Sequence, residues 1–239
     1  MNLQNPKKFK LLIDQAHEVA LNVLRPISRK YDKAEHAYPK ELDMLASVVD
    51  GMNQGSEGMN AGAAVNKRGD SDESNKNGVN MSTALSIVEM CYGDTGLLLS
   101  MPRQGLGNSA IAAVANDEQL QRFHGIWAAM AITEPGCGSD SAAIRTTAIK
   151  EGDDYILNGE KIFVTSGERA DAVVVWATLD KKLGRAAIKS FVIPKGTPGM
   201  KIERLEHKLG IKASDTAAIS FIDCRIPRDG SGNLNNSYK

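Results

Sequence analysis

Apolar residues recur at steps of three and four through Phe9, Leu12, Ile13, Ala16, Val19, Ala20, Val23, Leu24 and Ile27. That period paints one stripe along an α-helix. Pro26 has no N–H to give a helix interior, so the helix is expected to end or kink near Arg25. A second helical pattern covers Glu41 to Val49, with Leu42, Leu45 and Val49 on one face and Pro39 just ahead of it, a position that suits a helix start. Between Asp50 and Asn80 the chain turns to Gly, Asn, Ser and charge, apolar periodicity disappears, and a mobile surface loop is expected. Helical spacing returns with Met81, Ala84, Leu85, Val88, Cys91 and Tyr92, and again from Ser109 to Phe123.

After about Trp127 the pattern shortens. Tyr155 to Leu157, Lys161 to Thr165, Ala172 to Leu179, Ala186 to Ile193 and Ala217 to Ile226 are β-prone runs separated by turn signals. Asn158-Gly159 reads as a type I′ hairpin turn pairing the first two of these. Several strands without intervening helices point to an antiparallel barrel or sandwich. The expected class is therefore α+β: an all-helical N-terminal domain over residues 1–126, with its polar loop near 50–80, an antiparallel β-barrel or sandwich over 127–230, and a tail over 231–239.

Composition narrows the partners. Lys plus Arg equals Asp plus Glu at 29 each, with no basic run of the kind a phosphate backbone needs, which argues against nucleic acid. Asp14, His17 and Glu18 interrupt the first apolar positions, so neither a secretory signal nor a membrane span is expected. Cys91, Cys137 and Cys224 are odd in number and far apart, as befits a reducing, cytoplasmic setting. His17, His36, His124 and His207 lack metal-ligand spacing, so surface or packing roles are expected and no metal. Arg103-Gln104-Gly105-Leu106-Gly107 contains a Gly-x-Gly without the preceding strand of a dinucleotide fold, and is discounted.

Two segments carry candidate chemistry. In Met130 to Asp140, MAITEPGCGSD, a β-like run breaks into a turn where Gly136 and Gly138 let backbone N–H groups approach a ligand and Ser139 adds a hydroxyl, the makings of a pyrophosphate nest. An ordinary inter-strand loop would look the same. In Lys161 to Gly167, KIFVTSG, Phe163 and Thr165 share a strand face by the two-residue period, an aromatic ring beside a hydroxyl that can hold a flat, polar-edged cofactor. A barrel strand with Phe163 in the core would read identically.

Taken together and in this order, the segments resemble the acyl-CoA dehydrogenase family, whose middle domain carries a signature of the type small-aliphatic-Thr-Glu-x-x-small-Gly-Ser-Asp. Here it runs Ala131, Ile132, Thr133, Glu134, Pro135, Gly136, Cys137, Gly138, Ser139, Asp140. Cys137 stands where the family more often has Gly, Ala or Ser. The second family motif, Lys-x-Trp-Ile-Thr-Asn/Ser-Gly, appears as Lys161 to Gly167 with Phe163 in place of Trp, which keeps an aromatic face and loses the indole N–H. A third stretch, HKLGIKASD from His207, followed by AAISFIDCRIPRD, resembles the strand pair that ends the middle domain. PRQGLGNSAIAAVANDEQLQRF is similar, more weakly, to the last helices of the N-terminal domain.

The resemblance implies FAD as cofactor and an acyl-CoA thioester as substrate, oxidised to its trans-2-enoyl form. It implies that Met130, Ile132 and Thr133 line the flavin ring, mainly through backbone groups and the Thr133 hydroxyl. Gly138 and Ser139 meet the pyrophosphate, with Ser139 also touching the acyl-CoA. Phe163 packs on the isoalloxazine, with Val164 beside it, and Thr165 sets its hydroxyl near flavin N5. It further implies an electron-transferring flavoprotein as electron acceptor and a homo- or hetero-oligomer. The family's catalytic glutamate belongs to a C-terminal helical bundle that this chain is expected to lack, being truncated before it, so no residue here is assigned as catalytic base. Glu134 reads as structural. The rival readings are a flavin monooxygenase or oxidase of the same fold, and a non-catalytic partner subunit or inactive fragment.

Overall fold

The computed structural model describes residues 7–55, 79–103 and 106–227. Two compact units divide it, one of residues 1–104 with 207–214, the other of 105–206 with 215–239. The change from helix to strand falls between Arg122 and Ala128, close to the change of texture near Trp127.

In the first unit α1 (Lys10–Val19) leads through a π-helical turn (Ala20–Leu24) into α2 (Arg25–Lys33). Of the two expected outcomes at Pro26, an end or a kink, the helix does not end: it continues through a π-helical irregularity just ahead of Arg25. The wider turn ahead of it lies where the proline would otherwise clash and cost a hydrogen bond, and Pro26 itself takes an early position of α2, where no N–H is needed. Helix α3 (Glu41–Gly55) outruns its apolar pattern, and α4 (Val79–Leu99) kinks at Asp94, whose φ of −172° and ψ of 119° are not helical. The first and last residues of the expected Asp50 to Asn80 loop are thus helical, while 56–78 and the tail from 228 lie outside the described residues. Ala16, Leu24, Tyr31, Leu42, Leu45, Met90, Leu97, Met101 and Ala213 form the core of this unit. On α4 the stripe of Met81, Val88 and Tyr92 faces outward. No helix among the described residues is long and apolar enough to cross a membrane.

The second unit opens with α5 (Leu106–Val114) and α6 (Asp117–Arg122), not one helix from Ser109 to Phe123. Asn116 starts α6 with a reciprocal capping box to Gln119. Among the described residues its sheet has seven strands: β1 (Ala128–Ala131), β2 (Thr147–Glu151), β3 (Asp154–Thr165), β4 (Ala172–Thr178), β5 (Ile188–Pro194), β6 (Met200–Leu205) and β7 (Thr216–Pro227). The order is β1-β4-β2-β3-β7-β6, with β5 also on β4. The expected antiparallel closed barrel or sandwich is corrected here. The sheet is open and of mixed direction, because β1 and β2 both meet β4 in parallel. The α+β class and the N-terminal helical region stand.

Asn158-Gly159 is likewise not a hairpin turn. It lies inside the continuous strand β3, at a register shift against β7. The glycine serves close approach there, since a Cβ at 159 would fall 2.5 Å from Thr146 Oγ1. The hairpin forms earlier, at Gly152-Asp153 between β2 and β3, with Gly152 at φ +62°. The entry to β1 is fastened by two polar side chains, buried Asn108 and exposed Asp171. Asn108 Nδ2 donates to Ile126 O at 2.8 Å and its Oδ1 accepts from Ala128 N at 3.0 Å, while Asp171 Oδ2 accepts from Trp127 N at 2.8 Å.

Candidate functional site

Beyond Ala131 the chain leaves β4 and leans on β3, where Ile162 N donates to Thr133 O at 2.9 Å. Glu134 and Cys137 then close the MAITEPGCGSD turn by reciprocal backbone bonds of 3.0 and 3.1 Å. The Glu134 carboxylate points inward and collects donors. Lys161 Nζ lies 2.7 Å away, Thr146 Oγ1 2.6 Å, Thr146 N 3.0 Å and Arg145 N 2.6 Å. Lys161 is fully buried and also donates to Ile132 O at 3.0 Å. Burial works to raise the Glu134 pKa, but the Lys161 ammonium, the Thr146 hydroxyl and the two backbone N–H groups together hold it below its ordinary value. For Lys161 burial prevails over the attraction of Glu134 and lowers the pKa. Burial, aided by the neighbouring carboxylate, pushes the Cys137 thiol up, which leaves it an unreactive small side chain.

The other side of the same two segments faces out. Gly138 and Ser139 are exposed. Gly138 is not at positive φ, and a Cβ built there would meet nothing within 4 Å. Neither conformation nor crowding within the chain asks for glycine, and the space it leaves is open to an incoming group. On β3 the register slips between Lys161 and Val164, a β-bulge in which Phe163 takes φ +58°. Its ring is 60% exposed. A bulky side chain in the left-handed region is strained by on the order of 1–2 kcal/mol. Thr165 is exposed too, while Val164 between them is in the core.

The turn after Thr165 is anchored from below by buried Asp215. Its carbonyl accepts from Ser166 N at 3.0 Å, its Oδ2 accepts from Glu168 N at 2.9 Å, and Arg169 Nε lies 3.3 Å from Oδ1. Gly167 is packed so tightly that a Cβ would come within 2.7 Å of the Ala217 Cβ. The Thr165 hydroxyl thus sits at the end of a strand whose following turn is held rigid.

Met130, Ile132 and Thr133 are partly buried along the run from β1 into the turn. The carbonyls of Ile132 and Thr133 already accept from Lys161 and Ile162, which leaves N–H groups and side chains as their offering to a ligand. The backbone bond from Ile162 to Thr133 brings the two motifs together. What the sequence reading missed is the Glu134–Lys161 pair. By strict alternation Lys161 would share the outward face of Phe163 and Thr165. The bulge at 162–163 turns it inward, and the signal that could have revealed it is a lysine beside an otherwise unpaired inward glutamate.

Residues 129–224 match the family described as acyl-CoA dehydrogenase, middle domain. The chain is similar to the human short-chain specific acyl-CoA dehydrogenase, mitochondrial, at 32% identity over 240 residues, covering 95% of this chain and 54% of that protein. It is equally similar to a short-chain specific acyl-CoA dehydrogenase of Clostridium acetobutylicum, 32% over 236 residues, with 95% and 58% covered. Among solved structures, butyryl-CoA dehydrogenase from Megasphaera elsdenii superposes with a TM-score of 0.76 at 25% identity, covering 100% of this chain and 61% of that one. A chain from work on the electron transferring flavoprotein of Acidaminococcus fermentans reaches a TM-score of 0.78 at 29% identity, with 98% and 60% covered. The chain spans a little over half the length of the curated relatives it matches.

Proposed function

The chain belongs to the acyl-CoA dehydrogenase family, and on that premise we propose that it supplies the flavin-facing side of an enzyme that oxidises an acyl-CoA thioester to the trans-2-enoyl-CoA. The observation that carries this reading is the outward side of the two motifs, where the exposed ring of Phe163, in a strained conformation, stands with the Thr165 hydroxyl on one strand and an open glycine turn at 138 lies in the segment bonded to it. These residues fit FAD. A flat ring needs an aromatic face, a polar ring edge needs donors, and a pyrophosphate needs backbone N–H groups without side chains in the way.

Phe163 would offer its face to the isoalloxazine, with Met130, Ile132 and Thr133 bordering the ring and Val164 contributing backbone only, since its side chain is in the core. Gly138 and Ser139 would meet the pyrophosphate, and Ser139 the acyl-CoA. Thr165 would direct its hydroxyl to the edge of the ring and hold that donor in place through the Asp215-anchored turn. FAD, when bound, supplies the hydride acceptor, and that chemistry is the cofactor's own. Glu134 takes no part as base, because its oxygens are occupied by Lys161, Thr146 and Arg145. Electrons would pass to an electron-transferring flavoprotein, the active form would be an oligomer, and the three free cysteines suit a reducing, cytoplasmic setting.

The test is Thr165→Ala in the assembled, FAD-loaded enzyme, with flavin absorbance followed after mixing with saturated acyl-CoA. Loss of one preorganised donor should slow flavin reduction by roughly 10²–10³ while bound FAD changes little. Reduction at the wild-type rate would remove Thr165 from the site and with it the proposed orientation of the flavin.

A further inference from the structure

Two of the histidines meet within the first compact unit. His36 follows α2, His207 opens the segment 207–214, and both belong to the first compact unit although 171 positions separate them in sequence. Their rings lie 5.3 Å apart between centroids, tilted by 55°. Glu35 completes the group, its Oε2 standing 3.0 Å from His207 Nδ1. One ligand-type atom from each of Glu35, His36 and His207 lies within 4.8 Å of the other two. The geometry points to a divalent transition-metal site, filled best by zinc, with these three residues as ligands.

The donor set selects the class of ion. Two imidazole nitrogens and one carboxylate oxygen are the ligands of borderline metals such as zinc, whereas calcium and magnesium ask for all-oxygen shells. With bonds of about 2.0–2.1 Å, neighbouring ligand atoms around a tetrahedral zinc stand about 3.3 Å apart. The 3.0 Å between His207 and Glu35 is already close to that edge. The His207 side chain is 85% exposed, so it is free to rotate and close the remainder. Both ring nitrogens of His36 are shielded from water, which gives the ion one dry wall. The second oxygen of Glu35 accepts from Lys208 N at 2.9 Å, a backbone bond that orients the carboxylate as outer-shell partners of metal ligands do.

Without an ion the His207–Glu35 contact at the surface would be worth at most about 1 kcal/mol. Lys208 and Lys212 make the neighbourhood cationic, which opposes hard ions held by charge alone and leaves the covalent character of the zinc–imidazole bond to decide. The consequence is a clip. Metal would tie the chain end of α2 to the segment 207–214, which is otherwise held by bonds such as Ser100 Oγ to Ala213 O at 2.9 Å.

The experiment is calorimetric titration of the tag-free protein with zinc chloride in a non-chelating buffer, repeated with cobalt and followed by visible absorption. One zinc per chain and the intense bands of tetrahedral cobalt are expected. His207→Ala, Glu35→Gln and His36→Asn should each weaken binding by at least the roughly 10–100-fold that losing mere outer-shell support costs. Asparagine at 36 tolerates the φ of +67° found there, and His207 is exposed, so circular dichroism should show these variants folded. The double variant His17→Ala/His124→Ala should bind as the wild type does. No stoichiometric uptake would overturn the site. So would adventitious binding only, seen as equal affinity in His207→Ala or as loss in the His17/His124 control.

Discussion

The inward and outward sides of the two motifs differ in kind, though both belong to the same two short segments. Inward, every polar group has a partner. Glu134 is surrounded by Lys161, Thr146 and Arg145 N, and Asp215 holds the turn after Thr165. Outward, Phe163 sits in a strained conformation with its ring exposed and Gly138 faces open space. A charged pair without solvent stabilises only when its geometry is complete, and strain persists only where the surroundings impose it. The inner side therefore holds the backbone in the form that makes the outer side useful. It follows that damage to each side should be read in a different currency, stability for one and ligand binding for the other.

The largest effect belongs to the inner side. Lys161→Met strips Glu134 of its counter-charge, and Glu134→Gln leaves a buried ammonium with only the Ile132 carbonyl and a neutral amide. Removing one partner of a buried pair typically costs about 3–5 kcal/mol. Each single variant should lose that much in urea denaturation, and the double variant should lose less than the sum, because no charge is then left alone. The pair also sets a pH dependence. Glu134 has a folded pKa lowered from 4.5, so as pH falls the unfolded chain takes up its proton first. Its contribution is full above the unfolded value and disappears as pH drops through the lower, folded one. Glu134→Gln should lose that acid limb. Single variants within 1 kcal/mol of wild type would dissolve the distinction between the two sides.

That inner side was the least legible part of the sequence. Helix and strand texture could be read from period and composition, whereas Gly138, Ser139, Phe163 and Thr165 read equally as an ordinary loop and a barrel strand, and only the family resemblance offered them as ligand-facing. The direction of Lys161 could not, because a bulge with Phe163 at positive φ shifts the two-residue period by one and no local residue announces it. Asn158-Gly159 misled for a related reason. Its glycine answers to Thr146, thirteen positions earlier in the chain, a long-range demand that imitates a local turn. Parallel pairing of β1 and β2 with β4 was hidden too, since parallel partners need no adjacent turn signal. Pro26 left an end and a kink both open, because the π turn that accommodates it has no sequence signature of its own.

An intermediate effect is expected on the outer side at Gly138. Gly138→Val meets no atom of the chain within 4 Å and occurs where φ is not left-handed, so urea denaturation should show little change. If a pyrophosphate comes up to this turn, the isopropyl group occupies its place, and FAD affinity measured by quenching of flavin fluorescence should fall at least about tenfold, or roughly 1.4 kcal/mol. Unchanged FAD affinity would show that the open space serves no ligand.

The smallest effect is the most discriminating, and it lies at Phe163. In an ordinary strand, glycine is less stable than alanine by roughly 0.5–1 kcal/mol, because it loses more freedom on folding. At φ +58° the order should invert, since alanine keeps the left-handed penalty of about 1–2 kcal/mol and glycine does not. Phe163→Gly should accordingly be more stable than Phe163→Ala by about 1 kcal/mol. It should also be close to wild type, because a ring that is 60% exposed contributes little burial. Ligand binding should ignore this inversion. Both variants lack the aromatic face, whose stacking is worth about 0.5–1.5 kcal/mol, so both should bind FAD up to about tenfold more weakly. If glycine proves the less stable of the two, the bulge does not impose the strain ascribed to it. If the two variants differ in FAD affinity as they differ in stability, the ring acts through the fold rather than by touching the flavin, and the separation of inner and outer sides fails at its most exposed residue.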